Sequence, residues 1–160
     1  MPATQMALAT RYFEPGTTKI DWLLTIASST LVPIRAETNA GTDVSRDVAA
    51  IAGFVTTSAQ VATPDLGARF VSQIPGRINA DDSSITFYAS VDGLDVRSVL
   101  QRDLNGYVLI MDGGDVATRF MDVFKVTVSS VGKVRDMEDA PRLTVGFTIR
   151  NFAENVVIPA

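Results

Sequence analysis

Phe120-Met121-Asp122-Val123-Phe124-Lys125-Val126-Thr127-Val128 and, after an interval, Arg142-Leu143-Thr144-Val145-Gly146-Phe147-Thr148-Ile149-Arg150 are the stretches that decide the fold. In the second, Leu143, Val145, Phe147 and Ile149 alternate without a break against Arg142, Thr144, Gly146, Thr148 and Arg150. A period of two marks a strand with one dry and one wet face. In the first, Phe124, Val126 and Val128 are dry, while Lys125, Thr127 and Ser129 are wet. The interval 132–141 is charged and carries Pro141, which predicts an exposed loop between antiparallel strands. A hairpin alone cannot bury its apolar face, so other strands must cover it. What the wet face looks onto is the functional question.

The rest of the chain offers that cover. Residues 17–27 predict a strand with Ile20, Trp22, Leu24 and Ile26 inward and Lys19, Asp21 and Thr25 outward. Leu23 falls on the outward side and is expected to meet a partner surface. Residues 84–90 predict a strand with Ile85 and Phe87 inward, and the continuously apolar 107–111 predicts a central one. Residues 48–62 are β-rich but diluted by Ala, Gly, Thr and Ser, so their register is weakly specified. The strand 69–74 lies between two expected turns, Thr63-Pro64-Asp65 and Pro75-Gly76. The segment 92–101 predicts a helix, with Asp92 as N-cap and Val96, Val99 and Leu100 as its stripe. The long loop 32–47 holds Pro33, Asn39 and Gly41, and residues 35–39 fit one helical turn. An arm, 1–16, ends at Pro15-Gly16. It reads either as an unstructured terminus or as an arm docked on a neighbour through Tyr12-Phe13. The tail 151–160 is apolar at Val156, Val157 and Ile158, which suggests docking. Together these give about seven strands and one short flanking α-helix in a single domain, a mainly β fold of the β-sandwich or barrel kind.

Composition narrows the function. The 160 residues suffice for one domain with its own core, and 46% hydrophobic with 20% charged residues is globular. A net charge of −4 argues against bulk gripping of nucleic acid. Without cysteine there are no disulfides, thiolate ligands or thiol nucleophiles. Without histidine the commonest general base and metal ligand is missing. The acids at Asp112 and Asp115, at Asp81-Asp82 and around Asp136, Glu138 and Asp139 lack a calcium-loop spacing, and Gly113-Gly114 lacks a phosphate-loop lysine. No catalytic, metal or cofactor site is expected. With no signal-peptide pattern and no run of about 20 apolar residues, a soluble protein without membrane insertion is expected.

The middle of the chain carries a resemblance. Ala36-Glu37-Thr38-Asn39-Ala40-Gly41-Thr42-Asp43, Ile51-Ala52-Gly53-Phe54 and Thr63-Pro64-Asp65-Leu66 resemble the major tail tube proteins of long-tailed bacteriophages, especially those of actinobacterial hosts. Arg69-Phe70-Val71-Ser72-Gln73-Ile74-Pro75-Gly76 and Ala80-Asp81-Asp82-Ser83-Ser84-Ile85-Thr86-Phe87-Tyr88 continue it. So do Gly106-Tyr107-Val108, Asp112-Gly113-Gly114-Asp115, Met121-Asp122-Val123-Phe124 and the ending from Ala153 to Ala160. The similarity runs from about Ile34 to the C-terminus.

The resemblance implies a β-sandwich related to the ring subunit of contractile secretion tubes. It implies a structural virion protein without catalysis or cofactor, whose six subunits form a ring and whose rings stack into a tail tube. Each subunit would give four strands to a continuous inner barrel. The implied partners are further copies of itself, the tape-measure protein, and the tail-initiation, distal tail and terminator proteins. DNA would pass through without specific binding, after assembly in the host bacterial cytoplasm. Twenty-four strands tilted near 40° imply a backbone diameter of roughly 48 Å and a bore of roughly 35–40 Å, wide enough for a duplex. Lys125, Thr127, Ser129, Arg142, Thr144 and Thr148 are the candidate bore lining, and 48–74 with 120–150 the candidate bore hairpins. Tyr12, Phe13, Arg35, Glu37, Asp43, Val156, Val157 and Ile158 are the candidate inter-subunit and inter-ring contacts. Two rival readings are the ring subunit of a related gene-transfer or secretion tube, and a monomeric β-sandwich ligand-binding module.

Overall fold

The computed structural model describes residues 3–160. Its strands are β1 Lys19–Leu23, β2 Thr42–Asp43, β3 Val48–Ala52, β4 Thr56–Thr63, β5 Ser72–Ala80, β6 Ser83–Tyr88, β7 Asn105–Met111, β8 Phe120–Val134 and β9 Arg142–Val157. Among the described residues, helix is confined to the single turn α1, Arg35–Asn39, and two short 3-10 turns. Seven strands make one antiparallel sheet in the order β2-β1-β7-β8-β9-β6-β3, and β4 and β5 pair only with each other. The deciding hairpin is present and longer than the alternation alone suggests, at 15 and 16 residues. Three irregularities in the β8–β9 register let two strands of this length bend.

The sheet curls on itself. Trp22 on β1 and Phe147 on β9 lie three strand positions apart, about 14 Å in a flat sheet. Their ring centroids are nevertheless 6.3 Å apart. Inside the curl sit Ile20, Trp22, Ile85, Phe87, Val108, Phe124, Val126, Val128, Leu143, Val145 and Phe147. A second cluster covers one end of the opposite face, where Leu23, Leu109, Met111, Met121 and Val123 pack with Ile26, Leu31, Val156 and Ile158. β7 is therefore dry on both faces, as its unbroken apolar sequence requires.

Several expectations are corrected by these two clusters. Leu23 faces its own chain's second cluster, not a partner, and Asp21 on the same side is buried. The strand ends there, so Leu24 is exposed and does not continue the inner row. The segment 92–101 makes only the 3-10 turn Val96–Ser98, capped by Asp95 and not Asp92. Gly93 takes a φ of +78°, and Asp95 binds the Ser90 and Arg97 amides together with the Arg97 guanidinium, so the chain turns where a helix would begin. Pro75-Gly76 is not a turn but lies inside β5, at a bulge opposite β4. The helical turn at 35–39 forms as the sequence suggests.

Candidate functional site

The wet side of the main hairpin is one open polar surface. The residues directly opposite one another across its strands are Tyr107 and Lys125, Asn105 and Thr127, Thr127 and Thr148, Thr86 and Thr144, and Tyr88 and Arg142. Five of the six candidate lining residues, Lys125, Thr127, Arg142, Thr144 and Thr148, thus share a face. Ser129 stands in the bulge after Val128, where its hydroxyl and that of Ser130 lie over the side of Gly146 a Cβ would take. Thr127 donates to the Asn105 side-chain carbonyl at 2.7 Å, and Arg150 donates to the same oxygen at 3.1 Å. The Lys125 ammonium lies 5.9 Å from the Tyr107 ring centroid, and the Arg142 guanidinium 5.9 Å from that of Tyr88. The alternation exposed Lys125 and Arg142; it could not reveal their aromatic partners, because cross-strand register is not written in either strand alone.

The β4–β5 hairpin continues β3 and β6 beyond the main sheet. β3 with β4, and β5 with β6, are the two arms of one long bent hairpin, so the stretch 48–74 is corrected to Val48–Ala52 in the main sheet and Thr56–Thr63 outside it. The bend has a cause. Gly53 and Phe54 take φ of +80° and +57°, which swings the Phe54 ring onto Phe124 and Phe147 at 5.2 and 5.9 Å. The buried Ser83 hydroxyl accepts the Phe54 amide at 2.8 Å and donates to the Asp81 carbonyl at 2.9 Å. A Cβ on Gly53 would fall 2.4 Å from the Asp82 carbonyl. Beyond this bend nearly every residue of β4 and β5 is exposed, Val61, Ile74 and Ile78 among them. The hairpin strands carry one charged residue, Arg77. A two-stranded hairpin with a single charge and both faces open is marginal in water and has poorly guarded edges.

The loop 32–47 is held by charge. Arg35 grips the Asp115 carboxylate at 2.5 and 3.0 Å, and the Lys19 ammonium lies 3.1 Å from Asp21, 3.4 Å from Asp115 and 4.0 Å from Asp43. Hydrogen bonding to Arg35 holds the Asp115 pKa below the usual carboxylate range, whereas desolvation raises that of buried Asp21. Glu37 accepts the Ala27 and Ile34 amides, and Asp43 accepts from the Ser45 hydroxyl and amide. Arg35, Glu37 and Asp43 therefore all bind within their own chain. Val156 and Ile158 are buried in the second cluster, and of the three tail residues only Val157 is exposed. Residues 3–13 form no helix or strand, and Tyr12 and Phe13 are exposed with Met6 and Leu8. Between the two ends of the curled sheet is a groove of about 740 Å³, lined by 17–20 and 48–51. Among the described residues no group of three carboxylates is placed to hold a metal ion.

A family model described as phage tail tube protein matches residues 6–160. No curated protein matches the chain. One solved structure with the same fold is a chain of the six-fold symmetrised baseplate of the anti-feeding prophage, with a TM-score of 0.57 and 13% identity over 94% of this chain and 96% of that one. Another is the tail tube of SPP1, with a TM-score of 0.56 and 12% identity over 89% of this chain and 78% of that one.

Proposed function

This chain belongs to the phage tail tube protein family, a family of structural tail components, and from that premise we propose how it builds its tube. Six copies close a ring, rings stack, and the face bearing Lys125, Thr127, Arg142, Thr144 and Thr148 lines the bore. Six-fold symmetry is that of the baseplate holding a similarly folded chain. The carrying observation is a curled sheet that is dry inside, polar and open on the part of its other face that the second cluster leaves uncovered, and unclosed at its edges. β7 pairs with β8 only as far as Thr127, and the 103–104 turn reaches Val128. Residues 129–134 of β8 thus keep a free edge on that side. β4 also has a free edge, since among the described residues its only partner is β5. Joining the β4 edge of one subunit to the β8 overhang of the next extends β4-β5, β6, β9 and β8 around a ring and removes both edges at once.

The apolar arm 3–13 and exposed Val157 supply contacts between rings. The partners of the finished tube are the tape-measure protein and the tail-initiation, distal tail and terminator proteins. DNA crosses the bore without sequence-specific contact, and assembly takes place in the bacterial cytoplasm. Negative-stain electron microscopy of the purified protein over a concentration series, with light scattering for mass, tests this reading. Six-membered rings or hollow tubes are expected. Monomers alone, even with the tail-initiation complex and tape-measure protein added, would overturn it and favour the ligand-binding module.

A further inference from the structure

We propose that the junction formed by Gly53-Phe54-Val55 and Asp81-Asp82-Ser83 is a locked elbow that aims the β4–β5 hairpin before the subunit meets its neighbours, with Phe54 and Ser83 as its positioning residues. The inference rests on reading the β4 edge as the one that joins the next subunit, and it names what holds that edge in place.

An interruption of this kind is ordinarily a free hinge. The ladder of the main sheet stops at the pair Ala52 and Ser84, and that of the hairpin starts at Thr56 and Ala80. Backbone groups released between two ladders can turn to water, and the joint then swings. Here they are tied across the gap instead. The Asp81 amide donates to the Val55 carbonyl at 3.1 Å. The Ser83 hydroxyl accepts from the Phe54 amide on the opposite arm and donates to the Asp81 carbonyl on its own. Ser83 is 4% exposed, so water hardly competes for either bond. At the base of β4 the Thr56 hydroxyl donates to the Glu154 carboxylate on β9 at 2.5 Å. That bond is exposed and modest by itself, but it fastens the hairpin to a strand of the main sheet.

Phe54 is the least expected part. A bulky residue at a φ of +57° persists only where its surroundings over-determine it. The ring supplies the reason: it meets Phe124 of β8 edge-on and reaches Phe147 of β9. Gly53 before it leaves no room for a side chain against Asp82 and Ser83. Backbone and side chain together admit one direction. That direction matters because the hairpin is a lever. Nearly every residue of β4 and β5 is exposed, so their course is set at the base. The eight residues of β4 span about 27 Å, and a swing of about 10° moves the far end by about 5 Å, one strand spacing. An edge that must meet a neighbour's strand in hydrogen-bonding register has to be held more closely than that. Holding it beforehand removes the ordering cost from each association step.

The chain has no cysteine, so paired spin labels can be placed freely. Q73C, toward the far end of the hairpin, and R102C, on the turn before β7, are at exposed positions. Double electron–electron resonance on the dilute subunit is expected to give one narrow distance distribution. S83A and F54L should widen it about twofold and raise the concentration at which tubes appear by about fivefold. F54Y, which keeps the ring, should match the unaltered elbow in both readouts. The Trp22 emission maximum checks the fold of each variant. The exposed change T56V serves if those variants misfold, and should widen the distribution in the same sense. A broad distribution with the elbow unaltered would overturn the lock. Distributions from S83A, F54L and T56V as narrow as that of the unaltered elbow would overturn these residues as its cause. A narrow distribution in a protein that forms no tubes would overturn the assembly reading beneath the inference and leave the elbow standing.

Discussion

Gly106 is where a single residue decides the packing of the curl. A Cβ there would fall 2.4 Å from the Trp22 ring and 2.7 Å from the Leu23 carbonyl, and neither can retreat, because Trp22 is wedged against Phe147. G106A should cost about 1–3 kcal/mol, read from urea unfolding followed by Trp22 fluorescence; an unchanged midpoint would contradict the account of the curl. Asp115 makes a second case. Arg35 and Lys19 stabilise its charged form, so its native pKa is depressed. The stability it lends is complete above the unfolded carboxylate pKa of about 4 and is lost as pH falls through the native value. Buried Asp21, shifted upward, acts in the opposite sense: its contribution is complete below the unfolded value and declines as pH rises through the native one. D115N should therefore be less stable than wild type by about 1 kcal/mol at pH 7, given its partial exposure, and should lose less on acidification below pH 4. Parallel acid-unfolding curves would count against the cluster.

At the scale of elements, the β8–β9 hairpin was legible because its alternation is strict and its side chains are large. The hairpin made by β4 and β5 was only half legible. Its residues are small and two-sided, so nothing in the pattern distinguishes a strand inside a sheet from one that projects. Pro75 reads as a stop unless the bulge that accommodates it is known. The stripe at Val96, Val99 and Leu100 reads as helix, since the inward spacing of a 3-10 turn is nearly the same. For the polar face, the row of lining residues could be read from sequence, but Tyr88, Tyr107, Asn105 and Arg150 became part of it only through register. The hairpin carries its own prediction. Val61 and Ile74 sit opposite each other and are exposed, so V61K/I74K should leave the subunit's unfolding midpoint nearly unchanged while abolishing tubes in the microscope. Wild-type tubes from that variant would mean that the projecting hairpin is not an assembly surface.

For the whole molecule, the two termini do different work. Residues 3–13 leave Met6, Leu8 and Phe13 uncovered, whereas the C-terminal stretch pairs with β8 as far as Val157 and buries Val156 and Ile158. Deleting residues 1–13 should preserve the subunit's unfolding midpoint and stop rings from stacking. Deleting residues 151–160 should destabilise the subunit itself, a distinction that calorimetry and light scattering on the two truncations would draw. The central claim is that one sheet face of this chain becomes the inner wall of a tube, closed by pairing the edge of β4 to the overhang of β8. A cryo-electron microscopy reconstruction of the assembled protein tests it most directly. The account predicts Lys125, Thr127, Thr144 and Thr148 facing the bore, with β4 of one subunit hydrogen-bonded to residues 129–134 of the next. A tube with those side chains on its outer wall, or with β4 unpaired, would contradict it.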